Sequence, residues 1–196
     1  MSTTDSLREE VRNVYSAIAN DPQTKAPFPA GRELAVNLGY PNGLLDTVPA
    51  VAVDAFCGVS NVSLWADIAE GAVVLDLGCG AGLDTLIAAR RVGCRGKVFG
   101  VDFSSAMLER ARQAVTEEGA HNVELRLGSA EAIPLECGSV DSVIVNGIFN
   151  LNPARDIIFR EIARVLRTTG AVYASEIVLN EALLDHERGA VSNWFA

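Results

Sequence analysis

The sequence predicts an α/β fold in which a mostly parallel sheet carries helices on both faces, preceded by an N-terminal helical cap. From Ala72 onward, short apolar runs alternate with amphipathic stretches, the pattern of strands joined by crossover helices. A glycine-rich turn, Asp76-Leu77-Gly78-Cys79-Gly80-Ala81-Gly82, closes the first of these runs. Residues 1–70 hold no comparable strand pattern, yet Val11, Val14, Tyr15 and Ile18 fall on one face of a helix over 7–19. The expected division is therefore a helical cap over 1–70 and a sheet-bearing core over 71–196.

The elements of the core follow in order. Val73-Val74-Leu75-Asp76-Leu77 reads as a buried first strand, and the helix after the glycine turn, 83–92, sets Leu83, Leu86, Ile87 and its alanines against the sheet. A second strand covers 97–101. Ser104 or Ser105 can cap the next helix, which carries Met107, Leu108, Ala111 and Val115 at helical spacing and stops near Gly119. The third strand is 123–127, and after a loop through Pro134 the fourth is 140–145. A helix over 153–167 should end ahead of Gly170, leaving 171–177 as the fifth strand. The proline-rich stretch 21–30 joins the first helix to the rest and is a candidate lid.

Of the 196 residues, 49% are hydrophobic and 21% charged, which suits one sizeable core. A net charge of -9 offers no footprint for a nucleic-acid backbone or an anionic membrane surface. The opening residues Met1-Ser2-Thr3-Thr4-Asp5-Ser6 lack a signal-peptide pattern, and no apolar run would span a bilayer, so a cytoplasmic protein is expected. Cys57, Cys79, Cys94 and Cys137 include no CxxC pair, which points to free thiols and signals neither a metal site nor a disulfide framework. His121 and His186 have no acid or nucleophile beside them, and no catalytic residue is nominated.

The turn between the first strand and its helix carries the chemistry. Glycine there lets the backbone approach a ligand that a side chain would block. The spacing is G-x-G-x-G, where dinucleotide folds use G-x-G-x-x-G, and Asp76 stands just before it. Carboxylates at this place would repel a pyrophosphate, whereas Asp76 and Asp84 suit a ligand bearing an ammonium and a sulfonium. Asp102, at the end of the second strand, is placed to accept hydrogen bonds from both hydroxyls of a ribose.

On these motifs, the stretch from about Val73 to Ile177 resembles the class I S-adenosylmethionine-dependent methyltransferases, whose fold is Rossmann-like. The resemblance implies that Asp76, Gly78, Cys79 and Gly80 line the methionine part, Cys79 through its backbone. Asp102 would hold the ribose, with Phe103 and Met107 near the adenine. Gly128-Ser129-Ala130-Glu131 falls where the family reads the adenine edge, with Ser129 where many members have Asp. Asn146 matches the position facing the transferred methyl group.

A narrower resemblance, through Cys57-Gly58-Val59-Ser60, residues 75–84, residues 146–151 and Arg164-Val165-Leu166, is to the arsenite methyltransferases. In that subgroup thiolates hold trivalent arsenic, as expected of a soft ligand set. Cys57 matches one arsenic-binding cysteine, but Gly147 stands where a second would lie. A lone cysteine is more commonly a small buried hydrophobe, and that reading competes at Cys57. Tyr15, Phe28 and Tyr40 are candidates to shape the acceptor pocket.

The expected function is methyl transfer from S-adenosylmethionine to a small molecule, with an arsenite-like acceptor as the candidate that the narrower resemblance implies. The alternative is a cofactor-binding or metalloid-binding protein without turnover. Residues 178–196 read as a helix and are too few for a further helix and hairpin, so the family's C-terminal strands are expected to be missing. A fifth strand left at the sheet edge should be covered by that last helix or by a second copy in a homodimer.

Overall fold

The computed structural model describes residues 3–22, 28–150 and 152–178. Five helices come first: α1 (Thr3–Asn20), α2 (Gly31–Asn37), α3 (Asn42–Leu45), α4 (Ala50–Asp54) and α5 (Val62–Trp65). Then β1 (Val73–Leu77), α6 (Leu83–Val92), β2 (Lys97–Asp102), α7 (Ser105–Glu118), β3 (Val123–Leu127), β4 (Val140–Asn146), α8 (Arg155–Val165) and β5 (Leu166–Ser175) alternate as expected. The strands form one parallel sheet in the order β3-β2-β1-β4-β5. β1 is central, and the chain reverses its direction of growth between β1 and β4, which opens a crevice at the carboxyl ends of the strands.

The side-chain period of two sends successive residues of β1 to opposite faces. Leu75 and Leu77, with Val143 and Val145 of β4, pack against Ile158, Ile162 and Val165 of α8. Val74, Val98 and Ile144 meet Ala88, Ala89 and Val92 of α6 on the other face. α6 is buried on its outer side as well: Leu83, Leu86 and Ile87 contact Ala35, Tyr40, Leu45 and Phe56 of the N-terminal helices. α1 closes the arrangement by seating Ile18 and Ala19 near Met107 of α7. Arg110 of α7 fastens two of these helices by donating to the carbonyls of Ala19 and Val51.

Ser104 caps α7, its hydroxyl accepting from the Met107 N–H, and Gly119 ends that helix in the left-handed region. β2 and β4 each run one residue beyond the expected bounds, to Asp102 and Asn146, which brings both polar side chains to the carboxyl edge of the sheet.

The last helix and strand differ from expectation. The helix stops at Val165 instead of 167, and β5 spans 166–175 instead of 171–177. Leu166 is already extended and pairs with Val140; the register then jumps to Ser142↔Ala171 across a bulge. Gly170 lies inside this bulge, where a Cβ would come within 2.8 Å of the Asp141 carbonyl oxygen. It marks a close approach within a strand, not the stop of a helix.

β5 is an edge strand, with Val172 exposed and Tyr173 edge-on to Trp65. Beyond Val178, the helix expected over 178–196 lies outside the described residues, as do 23–27 of the proline-rich loop. Among the described residues, no helix is long and apolar enough to cross a membrane.

Leu86 is fully buried where α6 meets the N-terminal helices. Leu86→Ala should therefore cost about 2–5 kcal/mol through lost transfer energy and the cavity left behind, measured by urea unfolding with the slope unchanged.

Candidate functional site

The chain leaves β1 at Leu77 and enters α6 at Leu83 through a turn whose Gly78, Gly80 and Gly82 have φ of 79°, 52° and 92°. The Gly78 and Cys79 N–H groups both donate to the Val101 carbonyl, which ties the turn to β2. Cys79 is buried beneath it, where a Cβ on Gly100 would lie 3.1 Å from its Sγ. A Cβ on Gly80 would meet nothing within 4 Å. The turn thus presents bare backbone to a cavity of about 280 Å³ at the carboxyl ends of β1, β2 and β4.

Three buried carboxylates, Asp76, Asp84 and Asp102, line this cavity. Asp76 accepts from the Thr85 hydroxyl at 2.5 Å. Burial and the neighbouring Asp84 charge hold its carboxyl well above the usual range. Asp84 Oδ1 accepts from Tyr40 Oη at 2.6 Å and from Ser63 Oγ, and its Oδ2 accepts from Asn146 Nδ2 at 2.8 Å. Burial raises the Asp84 pKa against the opposing pull of these bonds. Asp102 takes the Gly80 N–H on Oδ2 at 2.9 Å and the Ser104 N–H on Oδ1 at 2.8 Å, and burial again pushes it up. The hydrogen-bond partners named for these three carboxylates are hydroxyl, phenol, amide and backbone N–H groups, all of them neutral. The cavity wall is therefore rich in negative potential, and a cationic ligand would relieve it.

Asn146 is fully engaged. Its Oδ1 accepts from the Val59 and Ser60 N–H groups at 2.8 and 3.0 Å, and its Nδ2 donates to the Ser60 carbonyl at 2.7 Å as well as to Asp84. Asn146 at the end of β4 and Asp84 in the first turn of α6 thus hold segment 59–63 and Tyr40; Tyr40, expected to shape the acceptor pocket, lines neither this cavity nor its neighbour and is instead buried core between α6 and the N-terminal helices. At the far wall, Ser129 Oγ donates to Glu131 Oε2, and Glu131 Oε1 accepts from Asn152 Nδ2 at 2.6 Å. Phe103 and the buried Met107 complete that side, with the Arg12 guanidinium 5.7 Å from the Phe103 ring centroid.

Every residue expected to contact the cofactor, from Asp76 through Asn146, lines this one cavity together with Ala130 and Glu131. Tyr15, Cys57 and Gly147 line it too, and with Gly58 they also line a second cavity of about 240 Å³. Cys57 is half-buried, its thiol donating to the Ala55 carbonyl at 3.3 Å, and burial pushes its pKa up to about 12, so it is a neutral thiol. Tyr15 stacks at a tilt on Phe28 with centroids 5.5 Å apart, and its pKa is raised, first by burial.

Sequence reasoning missed the partners of Asp84. Tyr40, Ser63 and Asn146 lie up to 62 residues from it, and no spacing pattern links them. Glu176 was also missed. It follows β5, accepts from the Phe149 N–H at 2.5 Å, and is held above the usual carboxylate range by burial. Its place just beyond a strand's carboxyl end was a usable signal.

Comparison with known proteins agrees with this geometry. Residues 68–195 match a family model described as a methyltransferase domain. An arsenite methyltransferase of Halobacterium salinarum is 42% identical over 143 residues, covering 72% of this chain and 36% of that protein. A demethylmenaquinone methyltransferase of Lactococcus lactis is 41% identical over 106 residues, covering 54% of this chain and 42% of that protein. The chain thus spans less than half the length of either curated relative. Among solved structures, an arsenic(III) S-adenosylmethionine methyltransferase from Chlamydomonas reinhardtii superposes with a TM-score of 0.62 at 30% identity, over 82% of this chain and 54% of that one. With its sheet order, its acid-flanked glycine turn and its family match, the chain belongs to the class I S-adenosylmethionine-dependent methyltransferases, on the side of the family that includes the arsenite methyltransferases.

Proposed function

We propose that this chain is the cofactor-binding part of an enzyme that transfers a methyl group from S-adenosylmethionine to a small-molecule acceptor, with residues 1–70 as a helical cap over a core of 71–196. The reading rests on one observation: the acid-lined cavity at the sheet edge adjoins a second cavity through the shared wall of Tyr15, Cys57, Gly58 and Gly147. Donor and acceptor would meet there.

A sulfonium supplies an already activated methyl group, so the protein's work is to bind, orient and exclude water. Asp76 and the bare backbone of Gly78, Cys79 and Gly80 suit the methionine end. Asp102 uses one lone pair of each oxygen on backbone N–H groups, which fixes the carboxylate and leaves the others free for two ribose hydroxyls. Phe103 and Met107 suit the adenine face, and Ser129, Ala130 and Glu131 its edge. Asp84 and Asn146 act by holding the cap in place, with Asp84 adding negative charge.

The acceptor named for the arsenite-methylating relatives fits these residues poorly. Cys57 brings one neutral thiol, and Gly147 cannot be exchanged for a second without strain. Its φ is +82°, and a Cβ there would sit 3.0 Å from Val59 Cγ1. Gly147→Cys should therefore lose about 1–2 kcal/mol of stability from backbone conformation alone, read as a lowered urea midpoint, and should gain no arsenite methylation. Methylation of arsenite in the presence of a thiol, by either form, would restore the arsenite reading.

Calorimetric titration with S-adenosylmethionine and with its demethylated product tests the donor site directly, and no heat with either would overturn it. Asp102→Ala should weaken both by tenfold or more, since a hydrogen bond to a charged group contributes about 1.5–3 kcal/mol.

The raised carboxylates add a pH signature. Asp76 and Asp84 hold protons in the free protein above the range where an unfolded chain has lost them. The native state therefore binds more protons than the unfolded one in that window, and the ligand-free protein should lose stability as pH rises through it. A cationic ligand favours the ionised carboxylates, so its binding should release protons. Titrations at mildly acidic pH in two buffers of different ionisation enthalpy would read that release, which should shrink as pH rises and fall in Asp76→Asn.

A further inference from the structure

Of the four residues that line both cavities, Gly58 and Gly147 bring only backbone, so the side chains at the seam are those of Cys57 and Tyr15. Sulfur hydrogen-bonds weakly, and the Cys57 thiol already donates to the Ala55 carbonyl at 3.3 Å. Tyr15 is placed differently. Its ring rests on Phe28, while its hydroxyl lies within electrostatic reach of Cys57, of Asp102 in the first cavity and of Glu176. Burial keeps the phenol neutral, so it offers lone pairs and moves no proton. The hydrogen bonds that secure α1 pass through other residues: Ser16 Oγ meets Ser104 Oγ at 3.2 Å, and the Ala19 carbonyl accepts from Arg110 at 2.9 Å. The Tyr15 hydroxyl has no such partner among the described residues. The side-chain atoms sealed from their surroundings without a partner belong to Glu10 and Asn150, and the Tyr15 oxygen is not one of them. It therefore stays open to the cavities that Tyr15 lines. The same helix face reaches further along the first cavity: Val11 and Arg12, one turn earlier, also line it, with Arg12 over the Phe103 ring.

We infer that the Tyr15 hydroxyl oxygen contacts the methyl group to be transferred, so that α1 belongs to the donor site and sets its preference for S-adenosylmethionine over S-adenosylhomocysteine. The inference rests on the reading of the first cavity as the donor's site, and it adds a residue and a discrimination that the glycine turn and the three acids do not supply. A methyl group on a sulfonium carries part of the positive charge, and its C–H groups donate to an oxygen lone pair. The product has no such methyl, so the contact separates the two ligands.

The test titrates S-adenosylmethionine and S-adenosylhomocysteine separately into the full chain by calorimetry, for the wild-type protein, Tyr15→Phe and Ser16→Ala. Tyr15→Phe keeps the ring on Phe28 and removes only the oxygen. Its affinity for S-adenosylmethionine should fall about two- to fivefold, the fold-change expected of a C–H···O contact. Its affinity for S-adenosylhomocysteine should be unchanged, which also shows that the variant is folded. Ser16→Ala disturbs the seating of α1 at the next residue, and any change it brings should be the same for both ligands. A second readout is the proton resonance of the isotope-labelled methyl group of bound S-adenosylmethionine. Contact with oxygen deshields those protons, so the resonance should move upfield in Tyr15→Phe, where the retained ring keeps its own shielding in place. Equal losses for the two ligands in Tyr15→Phe, no loss for either, or an unmoved methyl resonance would overturn the proposal and leave the donor site standing. If neither ligand binds the wild-type protein, the donor reading falls and this inference falls with it.

Discussion

Three carboxylates buried along one edge of a parallel sheet impose a constraint that the rest of the molecule answers. Removing a carboxylate from water is expensive, and bringing three of them to one cavity adds mutual repulsion. Each is treated differently. Asp102 is steadied by two backbone N–H groups of its own neighbourhood. Asp84 is met by a phenol, a hydroxyl and an amide from three separate parts of the chain. Asp76 has the Thr85 hydroxyl and two acidic neighbours. The least compensated acid therefore stands just before the glycine turn in the chain, where a cationic ligand has bare backbone to approach. The donors that satisfy Asp84 are also the ties that bring the N-terminal helices onto the sheet, so the electrostatics of the site and the docking of these helices are one network.

The two cavities divide the surroundings of a methyl transfer by polarity. The sheet edge supplies acids, backbone and helix starts, while the N-terminal helices and the segments after β4 and β5 supply apolar surface. Only the first can be placed by general rules of α/β architecture, because strand ends and crossover turns recur in every such sheet. The second is lined by residues of α1, α2, the segment after α4 and the segments after β4 and β5, whose meeting no such rule fixes.

That division explains what could be read from the residues alone. The sheet was legible because its strands of five residues or more and its crossover helices of ten or more leave a period in the apolar pattern, and β1, α6 and β3 match their expected bounds. The residues that line the first cavity were legible because their positions follow from those bounds. Helices α2 to α5 have four to seven residues and leave no period to detect. Gly170 misled because a glycine in a bulge and one after a helix look alike in sequence. The engagement of Asn146 by Val59 and Ser60 was invisible for another reason. It joins groups that only the finished fold makes neighbours, so no local pattern records it.

The bond from Val59 to Asn146 spans 87 residues, and this separation has a consequence for the order in which the molecule assembles. During synthesis the N-terminal helices leave the ribosome well before α6, α7 and β4 exist to receive them. Until then Ala52, Val53 and Phe56 have no sheet-side partner, and Tyr40 has no carboxylate to meet. The helices made first are thus secured last, and for that interval their apolar faces are open to chaperones and to other nascent chains.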